Sequence, residues 1–172
     1  MFSIFKYFIK SSISPNNKKF LIVGLGNIGE EYKNTRHNIG FDIVDQLAKI
    51  LKGEFNSAKY GNILKSKYSG KQIILLKPNT LMNLSGKAVL YWLRKEKIHI
   101  NNLLIIVDDL NINFGVSRLK PSGSDGGHNG LKDIANSLNT SNFTRLRFGI
   151  GNNFKKKDQV DFVLSKWNNE EA

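Results

Sequence analysis

One imidazole and one carboxylate in this 172-residue chain stand where they could activate water. His37 lies in the polar loop TRHNIG, which follows an apolar run, and Asp108 ends a second apolar run, LLIIVDD. A neutral imidazole can take a proton from water, and a carboxylate bonded to its other nitrogen fixes the tautomer and stabilises the cation that forms. The pair would make a hydrolase, although a lone loop histidine is more often solvated or structural.

Asparagines stand at comparable places in the chain. Asn27 follows the first apolar run, Asn83 lies in TLMNLSGKAV, and Asn129 follows His128 in SGSDGGHNGLKD. An amide can donate to a developing oxyanion without adding charge, and one good donor contributes about 2.7 to 4 kcal/mol. The chain has 21 asparagines, so a single one in a loop is more often a turn or a helix cap. No serine stands in a nucleophile-elbow context, which favours direct attack by water.

The residue types give little reason to expect a metal or a cofactor. The chain has no cysteine, so thiolate ligands and a cysteine nucleophile are excluded. Asp108 and Asp109 are adjacent, but no further ligand accompanies them at a recognisable spacing. We therefore expect a site without metal or cofactor.

Gly24, Gly26 and Gly29 spell G-x-G-x-x-G after the first apolar run, which raises the alternative of a nucleotide-dependent oxidoreductase. A dinucleotide loop needs a helix that opens at the third glycine and an acid about 20 residues further on. The helical spacing here begins well after Gly29, and Asp42 and Asp45 fall within that helix. We expect the glycines instead to let a ligand approach the backbone.

Alternating apolar patterns predict the elements that must position these residues. Strands are predicted at 20–23, 103–107 and 146–150, a shorter strand at 115–119, and a hairpin within 61–78 that turns at Ser69 and Gly70. Helices are predicted at 39–51, at 84–92 with Asn83 as N-cap, and at 131–138. Such alternation predicts one α/β domain, with a mixed, mostly parallel sheet and helices on both faces. The loops after parallel strands would meet at one edge and bring His37 and Asp108 together.

The net charge of +12 favours a polyanionic partner, with nucleic acid first and an anionic membrane surface second. Arg118, Arg145 and Arg147 fall close together, and guanidinium groups suit phosphate. Residues 1–19 carry four lysines and no acid, and we expect a loosely ordered basic extension without a membrane span, followed by the domain at 20–172.

Five collinear segments resemble the bacterial peptidyl-tRNA hydrolase family: VGLGNIGEEYKNTRHNIGF, LMNLSGKAV, DDLNINFG, GGHNGLKDI and LRFGIG. The resemblance implies a cytoplasmic, monomeric enzyme of one α/β domain. Such an enzyme cleaves the ester between a peptide and the 3′ end of tRNA in prematurely released peptidyl-tRNA. It needs no cofactor.

The resemblance also implies roles for individual residues. His37 matches the general base and Asp108 its orienting partner, while Asn27, Asn83 and Asn129 match residues that position the peptide, the water and the tRNA 3′ end. His128, Lys120 and Arg147 match positions associated with tRNA binding. Tyr32 and Met82 match residues that line the cleft, and for these two a role in packing is an equal alternative.

Three departures from the family pattern leave a second function open. The segment VDFVLSKW is followed by few residues, so we expect the family's C-terminal helix to be shortened or absent. Asp125 places an acid near the expected phosphate path, and Asn111 stands where aspartate is frequent. The alternative is a catalytically inactive RNA-binding adaptor of the same fold, although such a protein would have no need of a positioned base.

Overall fold

The elements follow the apolar runs of the sequence. The computed structural model describes residues 2–11, 18–168 and 171, without the side chain at position 156. The helices are α1 Phe2–Ser11, α2 Ile39–Ile50, α3 Ser85–Glu96, α4 Asn129–Leu138 and α5 Gln159–Leu164. The strands are β1 Lys19–Gly24, β2 Asn56–Ala58, β3 Gly61–Tyr68, β4 Lys71–Pro78, β5 Leu103–Asp109, β6 Ser117–Lys120 and β7 Thr144–Gly149.

The described strands form one seven-stranded sheet in the order β2-β3-β4-β1-β5-β7-β6. The four central strands β4, β1, β5 and β7 are parallel, whereas the pairs at both edges are antiparallel. Because β1 lies between β4 and β5, the chain that leaves β1 emerges beside the end of β5. The predicted mixed α/β fold is confirmed.

Helices cover both faces of the sheet. On one face α3 and α4 enclose a core that includes Leu21, Val23, Ile105 and Trp92. On the other face α1 and α2 pack over the alternate residues of the same strands, which include Phe20, Ile22 and Ile106. Strands that are buried on both faces read as continuous apolar runs, which is why they could be identified in the sequence.

Gly24 and Gly26 serve helix packing rather than ligand approach, so our expectation for these two glycines is wrong. A Cβ atom on Gly24 would overlap the carbonyl oxygen of Gly40, and one on Gly40 would overlap the backbone of Leu25. At Gly26 it would stand 2.8 Å from the ring of Phe41. The start of α2 therefore lies directly against the end of β1, in the space that side chains would occupy.

The expectation of a loosely ordered extension is wrong for its first part. Residues 2–11 form α1, and Phe5, Phe8 and Ile9 are buried against β1, β3 and β4. The rings of Phe8 and Phe20 lie 5.7 Å apart in an edge-on contact. Apolar burial of this kind outweighs the two lysines, which remain on the exposed side of the helix. The rest of the expected extension includes residues 12–17, which lie outside the described residues.

Smaller differences concern the ends of elements. Asn83 does not cap α3, because Met82–Leu84 forms a 3-10 turn and Leu84 occupies the capping position. The strand predicted at 146–150 begins earlier, at Thr144, and β2 and α5 have no counterpart among the predicted elements. Across the described residues, no helix has both the length and the apolar character needed to cross a bilayer.

We predict that Phe8→Ala lowers the free energy of unfolding by about 3 to 5 kcal/mol, because it removes a buried ring and leaves a cavity. The neighbouring Tyr7→Ala is the matched control, since Tyr7 is 64% exposed and its loss should change stability by less than about 0.5 kcal/mol. Urea unfolding followed by circular dichroism measures both values. Equal effects of the two substitutions would contradict the docking of α1.

Candidate active site

A cleft of about 400 Å³ opens at the carboxyl ends of β1 and β5. Five parts of the chain contribute to it, and its position at the strand ends is the one expected for an open α/β sheet. Its walls are formed by Asn27, Tyr32, His37, Leu81, Met82, Asn83, Asp108, Asp109, Leu110, Asn111, Asp125, Gly126, Gly127, His128, Asn129, Leu131, Gln159, Val160, Val163 and Leu164.

The predicted contact between His37 and Asp108 is present in this cleft. His37 lies in the 3-10 turn Arg36–Asn38, directly before α2, and Asp108 lies near the end of β5. The Nδ1 atom of His37 is 2.9 Å from Oδ1 of Asp108. The side chain of Asp108 is only 4% exposed, whereas that of His37 is 14% exposed and faces the cleft. The imidazole therefore has one nitrogen against a buried carboxylate and the other toward the open space.

A second imidazole contacts the same carboxylate oxygen, which the sequence analysis did not foresee. The Nε2 atom of His128 is 3.1 Å from Oδ1 of Asp108. Its Nδ1 atom accepts hydrogen bonds from the backbone N–H groups of Gly130 and Leu131, at 3.1 and 3.3 Å, and so caps α4. A neutral imidazole that accepts at Nδ1 carries its proton on Nε2. His128 therefore donates to Asp108 while both of its nitrogens are engaged within the protein.

These contacts also assign the proton of His37. The carboxylate of Asp108 can only accept, so the Nδ1 atom of His37 is the donor in the bond between them. In the neutral ring, Nε2 of His37 then carries a lone pair, and among the described residues no protein group bonds to it. This is the protonation pattern that a general base requires.

The ionisation of Asp108 follows from its neighbours. Burial by itself raises the pKa of this carboxyl, but the electrostatic attraction and hydrogen bond of His128, together with those of His37, outweigh burial and hold the pKa well below its usual range. Asp108 thus remains a carboxylate at neutral pH. A permanent negative charge beside His37 favours the imidazolium that forms when His37 takes a proton.

The amide of Asn27 is held in place by a second asparagine. Asn38 clamps the backbone of Asn27, because its Oδ1 atom accepts from the N–H at 2.8 Å and its Nδ2 atom donates to the carbonyl at 2.9 Å. Oδ1 of the Asn27 side chain accepts from the backbone N–H of Met82 at 3.1 Å. The Nδ2 group of Asn27 is therefore the part of this amide that is left to donate into the cleft.

The structure brings most of the predicted site residues together and leaves two of them apart. Tyr32, Met82, Asn83 and Asn129 line the same cleft as the two histidines. Lys120 and Arg147 do not line it; they lie on β6 and β7, at the neighbouring edge of the sheet.

The arginines predicted to form a phosphate-binding cluster divide into different environments. Arg145 is only 2% exposed, and its guanidinium donates to the carbonyl groups of Ser124 and Ser141. It is thus a structural residue, and its inclusion in the cluster was wrong. Arg147 is partly exposed and forms an ion pair with Asp109. Arg118 lies opposite Arg147 in the register of β6 and β7. Arg118 and Lys120 are both exposed.

One wall of the cleft was missed by the sequence analysis. Helix α5 contributes Val160, Val163 and Leu164, whose spacing of three and four residues is the helical signal that could have revealed it. Val160 is 66% exposed and Leu81 is 60% exposed on the cleft walls. This part of the cleft is apolar, in contrast to the polar end that holds the two histidines.

Arg36, the residue before His37, connects this wall to the turn that carries His37. The Nη1 atom of Arg36 donates to the carbonyl of Lys166 at 2.9 Å, and its Nη2 atom forms an ion pair with Glu171. The guanidinium also lies 4.5 Å from the ring centre of Phe162 in α5. A buried charge with several partners is costly to disrupt, so Arg36 holds the chain that follows α5 against the turn that carries His37.

Among the described residues, His37, Asp108 and His128 are the one group with the donor types of a metal site, and their ligating atoms lie within 4.8 Å of one another. Both imidazoles direct a proton toward the same carboxylate oxygen. A cation would have to replace those protons. The expectation of a metal-free site stays a prediction.

Comparison with known proteins connects this cleft to one family. The family model described as peptidyl-tRNA hydrolase matches residues 21–172. The peptidyl-tRNA hydrolase of Phocaeicola vulgatus is 57% identical over 153 residues, which cover 89% of this chain and 82% of that protein. The corresponding protein of Clostridium botulinum is 46% identical over 153 residues, 88% of this chain and 80% of its own length. The crystal structure of peptidyl-tRNA hydrolase from Acinetobacter baumannii superposes with a TM-score of 0.86 at 41% identity, covering 92% of this chain and 81% of that one.

We predict opposite tautomers for the two histidines of the cleft when both rings are neutral. His37 should carry its proton on Nδ1 and His128 on Nε2, because each donates to Asp108. Long-range proton–nitrogen NMR correlations distinguish the two forms, and spectra of His37→Gln and His128→Gln assign the signals. A proton on Nε2 of His37 would contradict the arrangement described here.

Proposed function

Because the chain belongs to the peptidyl-tRNA hydrolase family, we propose that it hydrolyses the ester bond between the peptide and the tRNA of peptidyl-tRNA. The observation that carries the mechanism is the 2.9 Å contact between Nδ1 of His37 and the buried carboxylate of Asp108. It leaves the basic nitrogen of His37 directed into a cleft with room for an ester and a water molecule. Hydrolysis returns the tRNA and the peptide separately.

In the first step water attacks the carbonyl carbon of the ester while Nε2 of His37 takes one proton from it. The negative charge of Asp108 stabilises the imidazolium. The carbonyl oxygen becomes an oxyanion, and the Nδ2 group of Asn27 is placed to donate to it or to the attacking water. Asn83 and Asn129 supply further amide groups at the cleft wall.

In the second step the tetrahedral intermediate collapses and the bond between the carbonyl carbon and the ribose oxygen breaks. The imidazolium of His37 returns its proton to the ribose oxygen, so the tRNA leaves with a free hydroxyl group. The peptide leaves as a carboxylic acid that releases the second proton of the water molecule to solvent, and His37 is neutral again. No metal takes part in this sequence, since the base, the charge partner and the oxyanion donors all come from the protein.

His128 acts on this reaction through Asp108 rather than by binding the substrate. Both of its nitrogens are used inside the protein, one as a donor to Asp108 and one as the cap of α4. A substrate contact through either nitrogen would break one of these bonds. We therefore assign His128 as a positioning residue, in place of the tRNA contact that the sequence resemblance implied.

The edge of the sheet formed by β6 and β7 contributes phosphate contacts to the bound tRNA. Exposed Lys120 and Arg118 and the partly exposed Arg147 supply positive charge there. The apolar wall formed by α5 and Leu81 suits the peptide. We propose that the protein acts as a monomer in the cytoplasm, where its substrate is produced.

We predict that His37→Ala lowers kcat by about 10²- to 10⁴-fold, because it removes the general base. The matched control is His99→Ala, which removes an exposed histidine of the 3-10 turn region outside the cleft and should leave kcat unchanged. Release of tRNA from N-acetyl-aminoacyl-tRNA measures both. Wild-type protein that binds this substrate without releasing tRNA would instead support an inactive RNA-binding adaptor.

We predict that His128→Ala lowers kcat by about tenfold or more while the affinity for deacylated tRNA changes little, because Asp108 loses one of its two donors. His128→Gln should recover part of kcat, since its amide can also donate to a carboxylate. Rate measurements at saturating substrate and a separate tRNA-binding titration check the two expectations. A loss of tRNA affinity with normal kcat would instead make His128 a tRNA contact.

A further inference from the structure

We propose that the outer surface of α3 and the adjoining turn between β2 and β3 form a second RNA-binding surface, which contacts the body of the tRNA while its acceptor end occupies the cleft. This surface, called here the α3 surface, consists of Lys59, Tyr60, Lys87, Tyr91, Arg94 and Lys95. The proposal rests on the proposed function for the identity of the RNA.

Cations and aromatic rings alternate along the α3 surface. The Nζ atom of Lys87 lies 5.1 Å from the ring centre of Tyr60, and that of Lys59 lies 5.3 Å from Tyr60 and 5.2 Å from Tyr91. The Nζ atom of Lys95 follows at 5.5 Å from Tyr91. Ammonium groups at such distances are attracted to the ring quadrupole. The row therefore holds its positive charges in place before a partner arrives, which reduces the entropy lost on binding.

The turn and the helix form one rigid unit. The indole Nε1 of Trp92 donates to the carbonyl of Lys59 at 3.0 Å, and Trp92 itself is buried beneath the helix. The rings of Tyr60 and Tyr91 meet edge-on at 5.3 Å. Lys59 and the lysines of α3 are thus fixed relative to one another although they belong to different parts of the chain.

The charges of the α3 surface are not neutralised by the protein. None of its four cations forms an ion pair with a carboxylate of the described residues. The one acid of α3, Glu96, is buried and pairs with Lys19 and Lys65 instead. Four unneutralised cations on one surface favour a polyanion through the release of its counterions.

The α3 surface is connected to the cleft. The carbonyl of Tyr60 accepts from the backbone N–H of Asn79, at the start of the loop that contains Met82 and Asn83. Lys87 lies in the first turn of α3, just after that loop. From Lys87 to Lys95 the cations extend along about 12 Å of helix, away from the cleft. A ligand that leaves the cleft on this side would meet the row lengthwise.

The β2–β3 turn of the α3 surface and the exposed cations of β6 lie toward opposite edges of the sheet. Between β3, beside the α3 surface, and β6, which carries Arg118 and Lys120, there are five strand spacings, or about 24 Å. A partner that reaches both must be an extended polyanion. Large exposed apolar side chains that could enter a bilayer are absent from the six residues of the α3 surface, because its tyrosines are half-buried against lysines. RNA is therefore favoured over an anionic membrane.

The test is a variant with four substitutions, Lys59→Gln, Lys87→Gln, Arg94→Gln and Lys95→Gln. The control removes the same charge from α1, α2 and the residues after α2 on the opposite face: Lys6→Gln, Lys10→Gln, Lys49→Gln and Lys52→Gln. Both variants lower the formal net charge from +12 by four. The affinity for deacylated tRNA is measured by filter binding at several KCl concentrations. A further variant with Lys59→Arg, Lys87→Arg and Lys95→Arg keeps the charge.

We expect the α3 variant to bind tRNA about 10- to 100-fold more weakly at low salt, and the slope of log affinity against log salt to flatten by about 2 to 3. The control should lose less than about threefold in tRNA affinity through its lower net charge, and the arginine variant should bind tRNA like the wild type.

Equal losses of tRNA affinity in the α3 variant and the control would overturn the proposal. So would unchanged tRNA affinity with lost binding to phosphatidylglycerol vesicles. Tight tRNA binding without ester hydrolysis by the wild type would reject the proposed function while leaving the α3 surface intact.

Discussion

The buried carboxylate of Asp108, held between two imidazoles, is the interaction on which the rest of the site depends. A lone carboxylate in this position would be costly to bury, and its pKa would rise. The donors on His37 and His128 reverse that tendency and hold the pKa below its usual range. In return the carboxylate fixes which nitrogen of His37 carries the proton. The charge of Asp108, the tautomer of His37 and the basic Nε2 of His37 therefore all depend on the same set of hydrogen bonds.

The strand order makes this arrangement possible. Because β1 is hydrogen-bonded to both β4 and β5, the loop after β1 crosses the end of the strand that carries Asp108. Gly24 and Gly40 allow α2 to begin directly against the strand ends, where side chains would prevent it. The turn that contains His37 is thereby placed over β5. A glycine pattern that resembles a nucleotide loop thus positions the turn that carries His37 by permitting close packing.

The net charge of +12 follows from 26 basic and 14 acidic residues, and three of those acids are engaged in buried or partly buried pairs. Asp108 and Asp109 are engaged by histidines and by Arg147, and Glu96 is buried with two lysines. These three acids therefore do not neutralise the cations of the α3 surface. The cations of the α3 surface and the exposed Arg118 and Lys120 of β6 remain available to an anionic partner.

The sequence by itself determined the strands of the core, the helices beside them and the meeting of His37 with Asp108, because apolar spacing fixes which residues face the core and parallel strands end together. The sequence did not determine where α1 docks. The apolar pattern of α1 indicates that one face of the helix is buried, but it does not identify the strands against which that face packs. Arg145 and Arg147 are two residues apart on β7 and so lie on the same face of the strand, yet Arg145 is buried and Arg147 is partly exposed. The second donor to Asp108 and the wall formed by α5 also come from segments distant in the chain. Tertiary structure alone decided these features, because local spacing sets the direction of a side chain while its partner depends on which distant backbone packs beside it.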